Sequence, residues 1–178
     1  MLAQFFQQQL DFIFFFYGLS FILLASICFG LPQANQQRLP LKLLGMFGLI
    51  HGINEWLDMI SLSLGDSTVF SMTRLGMMAL SFAFLFEFSR VGWKRQMGKG
   101  PGWWIYIPLS IMAISGLVAG QSGLNVTIRY TFGLVGGLWA ALVLLRTSKS
   151  EKASHHYFIY AAAFMALYAL AAGVIVPP

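Results

Sequence analysis

One cysteine (Cys28), six acidic residues and no lysine outside three short links leave this chain poor in what soluble proteins use most. A lone cysteine excludes a disulfide-rich secreted scaffold. Only 10% of the residues are charged, against roughly a quarter in an ordinary globular domain, which excludes a water-soluble fold. No apolar run alternates with period two, so a membrane β-barrel is excluded as well. What the chain has in excess is apolar sequence: 58% of its 178 residues, with aromatics at 16%, too many for a disordered segment. The apolar residues fall in blocks about 20 long, the length at which a helix crosses a bilayer. The net charge of +5 has no soluble basic domain to carry it, so the expected partner is the lipid bilayer and not nucleic acid.

Six apolar stretches are separated by polar punctuation: 10–30, 41–64, 69–91, 103–120, 124–145 and 157–176. Backbone groups in lipid must bond within their own segment, so the expectation is an all-α membrane protein, a single six-transmembrane-helix bundle. The first stretch lacks a basic leader and a small-residue cleavage site, so it reads as a helix and not a signal peptide. Arg38 and Lys42 fall in the first link, Arg90, Lys94, Arg95 and Lys99 in the third, and Arg146, Lys149 and Lys152 in the fifth. The second and fourth links contain no Lys or Arg. Nine of the eleven basic residues thus mark one side, which the positive-inside rule makes cytoplasmic and which puts both termini outside. A chain that stops outside on Val176-Pro177-Pro178 is expected to lack a seventh helix and a cytoplasmic output domain.

Helix partners in lipid are selected by packing and polar links. The small-residue pairs Gly48/Gly52, Gly133/Gly137 and Ala169/Gly173 therefore predict close approach, within the bundle in preference to a dimer face. Pro108 predicts a bend in the fourth span, and Trp93, Trp103, Trp104 and Tyr106 an aromatic belt beside the basic third link.

The second span carries charges where charges are costly. His51, Asn54, Glu55 and Asp58 fall at i, i+3, i+4 and i+7, one face of a helix. Counted from Leu41, His51 lies roughly 15 Å in, near mid-bilayer. Arg74 and Arg129, the two basic residues outside the cytoplasmic links, sit at matching depths near the outer ends of other spans. The expected arrangement is an outer cluster joining Glu55 and Asp58 to Arg74 and Arg129. Either it fixes helix register, or it lines a pocket where a polar ligand displaces a partner. A mid-membrane histidine one turn from a glutamate suits proton uptake, a hydrogen bond to a quinone oxygen, or a bond to a neighbouring carbonyl. Glu87 and Arg90 predict an interfacial ion pair, and His155 and His156 a solvated helix start.

Several chemistries are not indicated. Bis-histidine haem needs two histidines at one depth, whereas His155 and His156 lie at the cytoplasmic edge; His–Met ligation stays open with nine methionines. His51 and Glu55 supply two ligands of a metal-dependent intramembrane hydrolase but no third at that level. There is no Ser/His/Asp triad, phosphate-cradling glycine loop or intramembrane lysine, so catalysis is not indicated and no cofactor is expected.

The stretches Phe15-Phe16-Tyr17-Gly18-Leu19-Ser20-Phe21 and Phe47-Gly48-Leu49-Ile50-His51-Gly52-Ile53-Asn54-Glu55-Trp56-Leu57-Asp58 resemble the multi-helix membrane input region at the N-terminus of some bacterial sensor histidine kinases and diguanylate cyclases. In that family a "YGL-aromatic" first helix precedes an "HG-(apolar)-(small or Asn)-EW" second helix. The resemblance implies a sensor of a small ligand, quinone, lipid or proton in the bacterial cytoplasmic membrane, feeding a cytoplasmic signalling domain in the same full-length chain, with a homodimer expected. It makes His51, Asn54, Glu55 and Asp58 the sensing residues, and charge logic adds Arg74 and Arg129. The alternative is a small proton-coupled transporter or permease subunit using His51 and Glu55 as a relay.

Overall fold

The computed structural model describes residues 9–32, 39–151 and 154–174; Arg38, Lys152 and the Val176–Pro178 end lie outside the described residues. All the regular structure there is helical: α1 (Leu10–Gly30), α2 (Leu41–Leu64), α3 (Thr68–Met97), a run from Trp103 to Ser150, and α7 (His155–Val174). The run contains α4 (Tyr106–Ser115), α5 (Gly120–Ile128) and α6 (Val135–Ser150), joined by short 3₁₀ and π segments.

The expected fourth and fifth spans are therefore not separated by a non-helical link, and there are five helical runs where six helices were expected. The long run is nevertheless not a straight rod. Gly120 takes φ +72°, open to glycine, and Thr127 Oγ1 donates to Ala113 O at 2.6 Å, 14 residues back in sequence. In an unbroken helix those residues would stand about 21 Å apart. The chain thus reverses at Gly120, and α5 packs against α4 with Gly116 and Gly123 backbone to backbone, where neither could hold a Cβ. Past the reversal, α5, a π segment Arg129–Leu134 and α6 follow without a break, with right-handed helical dihedrals at both junctions.

Other boundaries move for local reasons. Nothing in Gly92–Met97 interrupts helical bonding, so α3 runs six residues beyond the expected Val91 and stops where Gly98 adopts φ +68°. Its N-terminus is capped by Ser67, whose Oγ accepts from Phe70 N at 3.2 Å. Pro108 is the third residue of α4, in the first turn, where the missing N–H has little to disrupt. The 3₁₀ turn Trp103–Ile105 leads into this helix.

Four stretches are long and apolar enough to cross a membrane: Leu10–Gly30, Thr68–Met97, Trp103–Ser150 and His155–Gly173. With 24 residues α2 has the length but not the hydropathy, because His51, Asn54, Glu55 and Asp58 interrupt it. One of its faces is enclosed, burying Leu44, Phe47, His51, Asn54 and Glu55. The core around it is aromatic: Phe47, Phe82, Phe86 and Phe88 are all at 0% exposure.

All three small-residue pairs are used inside the bundle. Gly48 lies against Phe21 O and Gly52 against Gly18 O, Gly133 against the Phe82 ring, Gly137 against Ala169, and Gly173 against Leu134. Ser89 Oγ reaches Gly136 O at 2.8 Å, tying α3 to α6.

Contacts also gather the basic residues at one end. Gln96 Nε2 donates to Thr147 Oγ1 at 2.8 Å, Gly92 approaches Pro40, and the Arg146 guanidinium sits 5.0 Å from the Trp93 ring centre. Glu87 and Arg90 pair through two bonds of 2.7 Å, as their spacing predicts, and Arg90 is buried at 5% exposure. Tyr106 OH donates to Glu87 at 2.5 Å, and Trp103 stacks on the guanidinium at 4.6 Å. At the opposite end Ser71 Oγ donates to Gln121 Oε1 at 3.3 Å, joining the first turn of α3 to the Gly120 reversal.

Candidate functional site

The site begins with a glycine crossing. Gly18 on α1 and Gly52 on α2 let the two backbones touch, and a Cβ on Gly52 would stand 2.7 Å from Gly18 O. Trp56 closes the crossing from the side, donating Nε1–H to Phe15 O at 3.2 Å while its ring stacks on Phe15. The two sequence stretches quoted above, Phe15–Phe21 and Phe47–Asp58, therefore lie against each other.

This approach drives the polar face of α2 into the bundle. His51, at 3% exposure, is boxed by Phe21, Phe47, Phe82 and Tyr168, with ring centres 4.6–5.6 Å away. Its Nδ1 lies 3.0 Å from Ser81 Oγ on α3, and Nε2 lies 2.9 Å from Tyr168 OH on α7. Nε2 also lies 3.4 Å from Glu55 Oε1, one turn along α2.

The protons on this group follow from the backbone. Ser81 Oγ sits 2.7 Å from Met78 O, and a carbonyl can only accept, so the hydroxyl proton points there. Ser81 must then accept from His51, which places a proton on Nδ1. In a neutral His51, Nε2 in turn accepts the Tyr168 hydroxyl. His51 thus links α2 to α3 and α7.

A second group lies one turn further along. Asp58 pairs with Arg74 on α3, and Arg74 pairs in addition with Asp66 in the turn between the helices. Asn54 Nδ2 donates to Asp58 Oδ2 at 3.2 Å, leaving Asn54 Oδ1 buried with no partner. Among the described residues Arg74 Nε is likewise buried without a hydrogen-bond partner.

Of the six residues expected to act together, the structure joins His51 to Glu55 and joins Asn54, Asp58 and Arg74. Arg129 is placed differently. It opens the π segment, donates Nε–H to Asn125 Oδ1 at 2.8 Å, and reaches Ala172 O on α7 with Nη1 at 3.3 Å. Its charge acts on Glu55, Asp58 and His51, but no carboxylate of the described residues is in ion-pair contact with it. The expected Arg129 ion pair is not formed among the described residues; Asn125 and the Ala172 carbonyl take Nε and Nη1 of the guanidinium.

Tyr168, Ser81 and Asp66 were not singled out in the sequence. A depth count offered a signal for Tyr168: 13 residues into α7 it lies roughly 20 Å in, close to the level of His51. Ser81 is one of many intramembrane hydroxyls and carries no such mark. Among the described residues no three His, Cys, Asp or Glu side chains converge as metal ligands would. His155 and His156 begin α7, His156 exposed and His155 half-buried with its Nδ1–H donated to Ser148 O at 2.8 Å, near the end of α6.

No family model, curated protein or solved structure matches the chain.

Proposed function

We propose that the chain is a membrane-embedded sensory input domain of a bacterial signal-transduction protein. In this reading it crosses the cytoplasmic membrane six times, with the basic end in the cytoplasm and both termini outside. The polar face of α2 is the detecting element. Incomplete pairing along that face carries the reading. A cluster serving only as glue closes its hydrogen bonds, since each buried orphan costs about 1–3 kcal/mol. Among the described residues Asn54 Oδ1 and Arg74 Nε are buried without hydrogen-bond partners, and Glu55 lies 3.4 Å from His51 without an ion pair to an arginine or lysine. A face bonded to α3 and α7 yet left unpaired is one that a ligand can bias, provided it prefers one helix arrangement.

The resemblance of Phe15–Phe21 and Phe47–Asp58 supports the same reading. It supplies the other parts: a kinase or cyclase output domain on the cytoplasmic side of the full-length protein, a homodimer as working unit, and a small ligand, quinone, lipid or proton as stimulus. Any catalysis belongs to the output domain.

The test is made in the full-length protein, by measuring autophosphorylation or cyclic-dinucleotide synthesis in Asn54→Ala and Glu55→Gln. Basal output is expected to change several-fold at unchanged membrane expression. Unchanged output in both, or a coding sequence with no output domain, refutes the proposal. Proton-coupled uptake into vesicles that is lost in His51→Ala assigns the chain to transport instead.

A further inference from the structure

The contact between His51 and Glu55 contains one proton too few if both groups are in their ordinary states. Nδ1–H is committed to Ser81, so Nε2 of a neutral His51 presents only a lone pair, and Tyr168 O–H already points at it. A carboxylate Oε1 at 3.4 Å then faces that lone pair with no hydrogen between them, in a site where the two side chains are 4% and 10% exposed. Acceptor against acceptor is repulsive, and burial removes the water that would relieve it. Adding one proton to the pair resolves the conflict in either of two ways. Glu55 as a carboxylic acid donates toward Nε2 or Tyr168 O, or Nε2–H donates to the carboxylate while Tyr168 O–H turns to Glu55. One proton shared by the pair satisfies the arrangement, and none does not.

If the proton leaves, Glu55 has somewhere to go. Nη2 of Arg129 makes no hydrogen bond among the described residues, while Nε and Nη1 of the same guanidinium are held by Asn125 and Ala172. The Arg129 charge already acts on Glu55 without touching it. The other groups facing the pair are few among the described residues. They are Tyr17 on α1, Asp58 with its partner Arg74, Ser81 (which does not titrate), and Tyr168 on α7. Of these cations Arg74 is already engaged by two carboxylates, so Arg129 is the one that can receive a third.

We propose that Glu55 is a two-position proton switch, bound to His51 and Tyr168 when the pair holds its shared proton and to Arg129 when that proton is gone. The step is a plain proton loss: an O–H or N–H bond breaks, the proton passes to water, and an ion pair with the guanidinium replaces the hydrogen bond. This assigns the proton as ligand of the site and rests on the sensory reading for its purpose, though not for its chemistry. Arg129 transmits the change, because it opens the π segment and holds the Ala172 carbonyl. A carboxylate arriving there alters how α2 sits against α7 and against the helix beyond Gly120.

The experiment uses the 178-residue chain in lipid nanodiscs and follows the carboxylic C=O stretch by infrared difference spectroscopy across a pH titration. One protonated-carboxyl band is expected to disappear in a single step as pH rises and to be missing in Glu55→Gln. Asp58→Asn should leave it in place. Arg129→Gln, which removes the receiving cation, should raise the proton affinity of the pair by roughly tenfold or more, and Arg129→Lys should restore most of it. Tryptophan emission checks that each variant is folded. A band that survives Glu55→Gln, or a midpoint indifferent to Arg129→Gln, overturns the switch. Because no output domain is involved, this failure would leave a sensor of some other ligand standing, whereas loss of signalling with the titration intact would remove the sensory reading and leave the switch.

Discussion

Replacing Gly52 by alanine isolates the glycine crossing on which the polar face depends. The added Cβ would lie 2.7 Å from Gly18 O and 3.0 Å from two carbons of Ile22. The carbonyl belongs to a helix backbone and cannot rotate aside. Carbon–oxygen contacts settle near 3.3–3.6 Å, so α1 and α2 must part by about 0.6 Å at their closest point. Overpacking of this kind costs about 1–3 kcal/mol. Alanine also gains about 1 kcal/mol of helix propensity over glycine, which would mask part of the loss. Gly76 on α3 supplies the correction: it too is inside a helix, but a Cβ there would meet nothing within 4 Å. The propensity gain is common to both variants, so the difference between Gly52→Ala and Gly76→Ala is the steric term alone. Reversible unfolding in mixed micelles, followed by helical circular dichroism, should place Gly52→Ala about 1–3 kcal/mol below Gly76→Ala. Equal stability for the two would show that the crossing tolerates a methyl group and that its glycines are not what seats His51.

Ser81→Ala leaves the His51 Nδ1–H buried without an acceptor and should destabilise the chain by about 1–3 kcal/mol in the same assay, with Ser81→Thr nearer to wild type. Asp58→Asn and Arg74→Gln should each lower stability, and the double variant should lose less than the sum by about 0.5–3 kcal/mol; strict additivity would mean that the pair contributes nothing. Gly116→Ala should be the more severe glycine variant, because both Gly123 O and Thr127 Oγ1 stand in the way, and poor yield of folded protein is the expected readout. Tyr106→Phe removes the donor to Glu87 but leaves the Arg90 pair, so a loss of about 0.5–1.5 kcal/mol is expected, against a larger one for Glu87→Gln, which leaves Arg90 buried with its charge unpaired.

Helix type and much of the segmentation were legible in the sequence because both depend on local composition. Leu41–Leu64 follows from an apolar block bounded by Pro40 and Gly65, and α1 likewise from its apolar run. The α3 terminus was not, since the charge of Lys94 and Arg95 suggests a loop while nothing in their backbone chemistry ends a helix. The π segment has no composition signal. It meets α3 through Gly133 on the Phe82 ring, a contact that no local pattern encodes. At the site, residues sharing one helix were readable from their spacing, hence the His51-to-Asp58 face. Partners on other helices were readable only where charge made them conspicuous. Arg74 met that condition; Tyr168, a hydroxyl among aromatics, did not. Arg129 was conspicuous too, yet Asn125 one turn before it competes for the guanidinium, and a charge balance cannot rank a neighbour in the same helix against a carboxylate across the bundle.

The polarity of α2 also bears on how the protein is made. Membrane insertion machinery admits helices largely by their own apolarity, and each ionised acid near the middle of a span adds about 2.5–3.5 kcal/mol against entry. With Glu55 and Asp58 on one face, α2 is a weak candidate to leave the translocon alone, whereas α1 before it is strongly apolar and α3 after it carries Arg74 for Asp58. The glycine crossing with α1 supplies a surface on which α2 can leave as half of a pair, its acids turned inward from the start. The order of synthesis, α1 before α2 and Arg74 soon after, thus becomes part of what places two carboxylates inside a membrane.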